Sequence, residues 1–347
     1  MRRTITIIVW LTMYFPVAAQ GYHYETPRHY RCEFTGLPVT IDGQGDDLAW
    51  QGVAWSELFV DIEGDSRPLP YQNTRVKMVW DSTQLYILAR LDETNIWATL
   101  KNHDDIIYRD NDFEVFIDPD RDSHNYFEIE FNAFNTIFDL FLSAPYRDGG
   151  PVITDWDFKQ MRSAVKVYGS LNNPSDRDSC WSVEMALPLD GLTRKGRHPD
   201  PGAVWKINFS RVHHETQVVD GQYVKLRTPE GKPMPEHNWV WAPQGIVNMH
   251  YPEKWGYLLF DRGPDRARIP EDDAVIQHLY FLYHQLREYR AEHGVFPDQL
   301  ENQYLVNGMH YACSFLTADS DYLLTLHGER NRTWAIREDG RVTFAAP

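Results

Sequence analysis

The sequence predicts an all-β fold: an antiparallel β-sandwich, jelly-roll-like, with a small C-terminal α+β appendage. Three observations predict it. Up to about residue 262 the apolar residues recur at period two in short runs broken by turn residues. Those runs are not separated by the long amphipathic segments that a βαβ architecture needs. Beyond residue 264 the pattern changes to one helical stripe followed by four short strand candidates. The 347 residues, 42% hydrophobic and 14% aromatic, are enough to bury a core without special staples.

Residues 20–35 read as a polar, aromatic leader to the first strand. Arg75 to Trp80 alternates, Asp81 to Gln84 turns, and Leu85 to Ala89 runs back, which is a hairpin signature. In Asp112 to Asp118, the residues Phe113, Val115 and Ile117 share a face. In Asn125 to Ala133, Phe127, Ile129 and Phe131 point inward, leaving Tyr126, Glu128, Glu130 and Asn132 outward. Thr136 to Leu142, Ser163 to Tyr168, Trp181 to Leu187, Ala203 to Val212, Trp239 to Trp241 and Gly256 to Phe260 complete the sandwich strands. The long connections 143–160 and 213–238 suit a site built at the end of a sandwich. Glu271 to His293 reads as a helix. Val275, Leu279, Leu282 and Leu286 form one stripe, Pro270 and an acidic first turn mark the start, and Gly294 marks the end. Strand patterns at 311–316, 322–326, 333–336 and 342–344 follow, with Glu338-Asp339-Gly340 as a hairpin turn.

The resulting division is a signal peptide over 1–19, a sandwich domain over 20–264 and an appendage of unassigned role over 265–347. Arg2 and Arg3, the apolar run from Thr4 to Phe15 and the small residues Val17 to Ala19 have the layout of a secretory signal, with cleavage near Ala19. The run is too short to span a membrane, so the mature protein is expected to be secreted, periplasmic or extracellular. Loss of the two arginines would take the net charge from −16 to −18. Such a field repels phosphate backbones and excludes nucleic acid as a partner, and it suits neutral ligands or calcium-holding acidic loops. Of Cys32, Cys180 and Cys313, one pair could bridge in an oxidising compartment, and the sequence does not choose the pair.

Several pieces in order carry a family likeness. They are Ile41-Asp42-Gly43 with Asp46, Asp47 and Trp50; Val79-Trp80-Asp81 with Leu85-Tyr86-Ile87; and Asp112 to Pro119 followed by Tyr126 to Asn132. Trp181 to Pro188, Gly202 with Trp205 to Arg211, and Pro252 to Gly256 complete the series. Together, over roughly 220 residues, this succession resembles the family 9 carbohydrate-binding modules. The resemblance implies a β-sandwich, extracellular sugar binding and structural calcium. In xylanase-linked members two tryptophans clamp a sugar ring, aided by a Glu and an Arg. The first clamp position falls on Tyr108 and the Glu on Glu114. The Arg position falls on Glu130, with reversed charge, and the second clamp position falls near Met249-His250. The expectation is therefore a different sugar or a rebuilt site.

A sugar site needs an aromatic plate for the apolar ring face and polar groups for the hydroxyls. Candidate plates are Tyr108, Trp156, Trp239 and Trp241, and candidate hydroxyl partners are Glu114, Glu128, Glu130 and Asn132. Glu184 and Arg211 lie in strands and are read as a structural pair; Arg211 shares a face with Trp205, Ile207 and Phe209 and needs a partner. Asp118, Asp120 and Asp122 place alternate carboxylates in a loop, a donor set for calcium. Asp104, Asp105, Asp110 and Asp112 read as a polar surface loop. No organic cofactor is expected. The function expected is binding of a polysaccharide or oligosaccharide, accessory to polysaccharide degradation, without catalysis. The alternatives are a glycoside hydrolase or lyase reusing the sandwich, a non-covalent haem protein using Met249 and His250, and a structural or adhesive surface protein.

Overall fold

The computed structural model describes residues 22–193 and 198–345, so the signal-peptide expectation for 1–19 lies outside the described residues. The described chain divides into two compact units. One spans 27–269, and the other comprises 22–26 with 270–345.

The larger unit contains β1 (His29–Phe34), β2 (Val60–Asp61), β3 (Thr74–Trp80), β4 (Gln84–Asp92), β5 (Asp112–Asp118), β6 (Tyr126–Asn132), β7 (Ile137–Leu142) and β8 (Val152–Ile153). It continues with β9 (Arg162–Tyr168), β10 (Cys180–Pro188), a single helical turn α1 (Leu189–Leu192), β11 (Val204–His213), β12 (Thr216–Val219), β13 (Gln222–Lys225), β14 (His237–Val240) and β15 (Gly256–Asp261). All but β12 and β13, which form their own hairpin, join one curled sheet in the order β8-β7-β6-β5-β11-β15-β1-β3-β4-β10-β9, with β14 on β11 and β2 on β14. The pairings are antiparallel except those of β1 with β15 and with β3, so the sheet is mixed. That exception comes from the stretch read as a leader. His29 to Phe34 is a strand whose Tyr30 and Cys32 point into the core, a run of two inward residues too short to show a period.

The alternating faces fold as the sequence indicated. Phe113, Val115 and Ile117 of β5 and Phe127, Ile129 and Phe131 of β6 share one core with Ile87 of β4, Val183 and Met185 of β10, and Phe209 of β11. The β3–β4 turn is closed by Asp81, whose Oδ1 accepts from the Thr83 and Gln84 amides at 2.7 and 2.8 Å.

Two buried carboxylates tie distant segments to this core. Glu184 accepts from the Trp50 indole at 2.7 Å and from the Gly43 and Asp42 amides at 2.9 and 3.2 Å. Gly43 has φ +80°, and a Cβ there would meet the Lys166 amide nitrogen at 2.8 Å, so the close approach requires glycine. Glu184 is thus not the partner of Arg211. That arginine, 1% exposed, donates to Glu93 at 2.7 Å and to Thr74 at 3.1 Å. All three cysteines are free thiols.

The smaller unit sets the helix α2 (Asp273–His293) against a five-stranded antiparallel meander of β16 (Gln303–Val306), β17 (Met309–Ala318), β18 (Asp321–His327), β19 (Thr333–Arg337) and β20 (Val342–Ala345). Val275, Leu279, Leu282 and Leu286 are buried as one stripe against Leu324, Leu326, Trp334 and Ile336. The four expected strands are present, and β16 is additional. Tyr24 donates to Asp273 at 2.8 Å within this unit. Among the described residues, no helix is long and apolar enough to cross a membrane.

Burial alone would raise the Glu93 carboxyl. The hydrogen bond with His213 and the charge of Arg211 outweigh it and bring the group from its ordinary 4.5 down to about 2. The depressed value means its stabilising contribution is complete above the ordinary value and is lost as pH falls through about 2. Glu93→Gln, which leaves Arg211 buried without a counter-charge, should lower stability at pH 7 by roughly 3–5 kcal/mol. It should also flatten the loss of stability between pH 4.5 and 2. Urea melts of both proteins across that range check this, and an unchanged midpoint at pH 7 would contradict it.

Candidate functional site

The period-two geometry that sends Phe113, Val115 and Ile117 into the core sends Asp112, Glu114 and Phe116 to the opposite face of the same strand. On β6 the same alternation presents Glu128, Glu130 and Asn132. The register sets Glu130 opposite Glu114 and Glu128 opposite Phe116. Beyond β6, Phe138 and Leu140 of β7 stand opposite Glu130 and Glu128. On the other side of β5, Ser210 of β11 stands opposite Glu114.

This face is roofed rather than solvated. Residues 247–250 and the connection after β7 close over it and leave a cavity of about 470 Å³, lined among others by Tyr108, Glu114, Glu128, Glu130, Tyr146 and His250. The expectation of a solvent-facing strand surface is therefore corrected. Asp112, Glu114, Glu128 and Glu130 are 0%, 5%, 6% and 2% exposed. Among the described residues none of the four pairs with a lysine or arginine within 4 Å; His250 Nε2 lies 3.9 Å from Glu128.

Burial of acids among acids sets their ionisation. Desolvation pushes Glu114 up to about 7, with the Ser210 hydroxyl opposing the shift. Desolvation, then the Glu114 charge, drives Glu128 well above the carboxylate range, and Glu130 and Asp112 are raised in the same way. Glu130 accepts from the Tyr108 amide at 2.9 Å, and Asp112 accepts from the Val212 amide at 2.9 Å. The second oxygens of Asp112 and Glu128 are buried with no hydrogen-bond partner. Burial, then Arg147, lowers His250 to about 3, so its imidazole is neutral at pH 7.

Two exposed rings stand at the cavity. Tyr108 lies in a 3-10 turn (Ile107–Arg109) pinned by Glu130 and by His214 Nε2, which sits 3.0 Å from the Tyr108 carbonyl. Tyr146 lies in the turn Tyr146–Asp148 and meets the His250 ring edge-on at 4.3 Å. They are 44% and 51% exposed, whereas most large rings here are buried. Tyr146 was not singled out from the sequence. The only available signal was an aromatic residue after Pro145 in a long connection. An aromatic ring thus occupies the side of the cavity where the resemblance places Met249-His250.

The structure brings together Tyr108, Glu114, Glu128 and Glu130, and it separates the other candidates. Asn132 is a fold residue. Its amide donates to the Leu100 carbonyl and to Asp110, and its oxygen accepts from the Phe134 and Thr136 amides. Trp239 is 2% exposed and packs against the rings of both His213 and His237, at 4.9 and 5.4 Å. Trp241 is fully buried against Phe209, with its indole donating to Glu57 at 3.0 Å, and it fits because Gly256 has no Cβ to strike it. Neither tryptophan is a stacking plate. Trp156 is half-buried on the core face of β6, against Phe127 and Phe158, away from the carboxylates. Asp112 and Asp110, read as surface loop, are buried, and Asp110 clips the Thr99 and Leu100 amides.

The loop after β5 gathers one oxygen each of Asp118, Asp120 and Asp122 within 4.8 Å. Asp118 is buried, and its oxygens accept from the Arg121 and Ser123 amides at 2.9 Å. This all-carboxylate donor set fits a hard cation such as calcium. A second cavity of about 600 Å³ adjoins this loop, between Asp120, His198 and Trp205.

The model of the family described as "Carbohydrate family 9 binding domain-like" matches residues 41–232. Among solved structures, a carbohydrate binding module family 9 from Caldicellulosiruptor kristjanssonii, in complex with cellotriose, is 16% identical. It covers 70% of this chain and 98% of its own, with a TM-score of 0.44. The same kind of module from that organism with glucose is 15% identical, covering 70% and 100%, with a TM-score of 0.44. A Bacteroides uniformis protein named as a candidate carbohydrate-binding protein is 15% identical, covering 68% and 100%, with a TM-score of 0.50; that likeness is one of fold. No curated protein matches the chain.

Truncating a buried aromatic leaves a cavity, so Trp241→Ala should destabilise the protein by about 3–5 kcal/mol. Thermal and urea unfolding check the assignment, and a variant as stable as the parent would return Trp241 to the surface.

Proposed function

The chain belongs to the carbohydrate family 9 binding domain-like proteins, and from that premise we propose that it binds a neutral saccharide in the cavity between Tyr108 and Tyr146. The observation that carries the reading is the pairing of two exposed rings with a floor of Glu114, Glu128 and Glu130. Aromatic faces stack on the apolar face of a pyranose, and carboxylates accept hydrogen bonds from its hydroxyls. A floor of packed acids with no lysine or arginine paired to it offers no cation to bind a uronic acid, and so favours uncharged sugars. The unpartnered oxygen of Glu128 is an acceptor awaiting such a donor.

Delivery outside the cytoplasmic membrane and service to a polysaccharide-degrading system complete the proposal. The secretory layout of Arg2 to Ala19 supports the first, and N-terminal sequencing of exported protein should start at Gln20. Calcium in the Asp118–Asp120–Asp122 loop is proposed as a structural ion, supported by its donor set.

A glycan array probed with the full chain should yield saturable binding to one class of uncharged glycan. On the best binder, Tyr108→Ala and Tyr146→Ala should each weaken affinity by about 5- to 30-fold, the equivalent of one or two kcal/mol per stacked ring. Titration calorimetry checks this; unchanged affinity in both variants would place the site elsewhere. Chelation should lower the melting temperature of the parent, and the chelator-sensitive shift should shrink in Asp120→Asn/Asp122→Asn. An identical chelator response in that variant would remove the ion from the loop.

A further inference from the structure

The three carboxylates at the floor of the cavity form a more demanding arrangement than hydroxyl binding alone requires. One oxygen each of Asp112, Glu114 and Glu130 lies within 4.8 Å of the others, and all three residues are buried. Two oxygens on opposite sides of a calcium ion stand about 5 Å apart, so this spacing accommodates one cation between them. A fourth acid, Glu128, lines the same cavity, is 6% exposed, and holds an oxygen with no hydrogen-bond partner. The second oxygen of Asp112 is likewise buried and unpartnered. Buried polar groups in folded proteins are as a rule satisfied, and buried charges are paired or coordinate metals. Here, among the described residues, no lysine or arginine forms an ion pair with any of the four acids. The flanking strands supply no cation at the register positions either, since Ser210 stands opposite Glu114 and Phe138 opposite Glu130.

We propose that Asp112, Glu114 and Glu130, with Glu128 as a fourth donor, hold a calcium ion at the floor of the cavity, separate from the Asp118–Asp120–Asp122 loop. The donor set is oxygen only, which selects a hard cation over zinc or copper. Several carboxylates converging in a buried site favour calcium over magnesium, which dehydrates reluctantly and keeps several waters. The loop and the floor are distinct places. Asp118 is four residues along β5 from Glu114, about 13 Å at the rise of a strand. The open side of the ion faces the cavity, where water or a ligand oxygen completes its coordination. The ion's position rests on the carboxylate geometry and stands independently of the saccharide reading.

Calcium titration calorimetry on the metal-stripped full chain tests this, using Asp120→Asn/Asp122→Asn as the background that silences the loop. That variant should still bind one calcium ion. Adding Glu114→Gln and Glu130→Gln should weaken the remaining site by at least about 100-fold, given that each removed carboxylate contributes a charged ligand. No calcium uptake in the loop variant, or uptake unaffected by the two glutamines, overturns the proposal. Because the glutamine variants alter a buried cluster, a second measurement uses the parent protein. Crystals soaked in manganese should give an anomalous peak within bonding distance of Glu114 and Glu130. A map with no peak there overturns the proposal as well.

Discussion

The pairing of β5 with β6 is the constraint on which the rest of the structure depends. A strand has two faces, and each residue on one commits its neighbour to the other. With Phe113, Val115 and Ile117 fixed in the core, Glu114 has no choice but to face Glu130 across the pair. A slip of one residue would expose the core and bury the acids in it. The hydrophobic pattern therefore holds like charges side by side, in an arrangement their own electrostatics oppose. What would be a solvated strand face in a simpler sandwich becomes the floor of a cavity once residues 247–250 and the turn at Tyr146 cover it.

The polar interior shows two ways of handling a buried carboxylate. Glu184 and Glu93 are supplied with donors from distant segments: Trp50 and Gly43 for one, Arg211 for the other. These are locks, and they fix the positions of the N-terminal segment and the sheet. Glu114, Glu128 and Glu130 receive no such cationic partner, and their carboxyls are pushed upward by burial and by each other. We propose that the second group meets a ligand from outside the chain, because it lacks the partners that the first group has. Saccharide hydroxyls and a divalent cation are the two chemistries that fit.

Legibility in the sequence followed the range of the interaction. Alternation is local, so the faces of β5 and β6, the β3–β4 hairpin and the stripe of α2 were all readable. So was the need of Arg211 for a partner. The partner's identity was not, because Glu93 is 118 residues away and no local pattern links them. Trp239 and Trp241 looked like plates because loops flank them in sequence. Their burial depends on Glu57, 184 residues from Trp241, and on the space above Gly256. Tyr146 was hidden for the opposite reason. It lies in an irregular connection, where no period says which way a ring points. The acidic cluster was divided wrongly as well. Asp110 and Asp112 are neighbours of Asp104 and Asp105 in the chain, yet only the former pair is enclosed.

The most direct measurement is a crystal structure of the protein grown with the glycan it binds most strongly on an array. Difference density for a sugar ring is expected between Tyr108 and Tyr146, with hydroxyls directed at Glu128 and Glu130. Density for the sugar in the cavity beside Asp120, His198 and Trp205 instead, with the Tyr108–Tyr146 cavity empty, would contradict it.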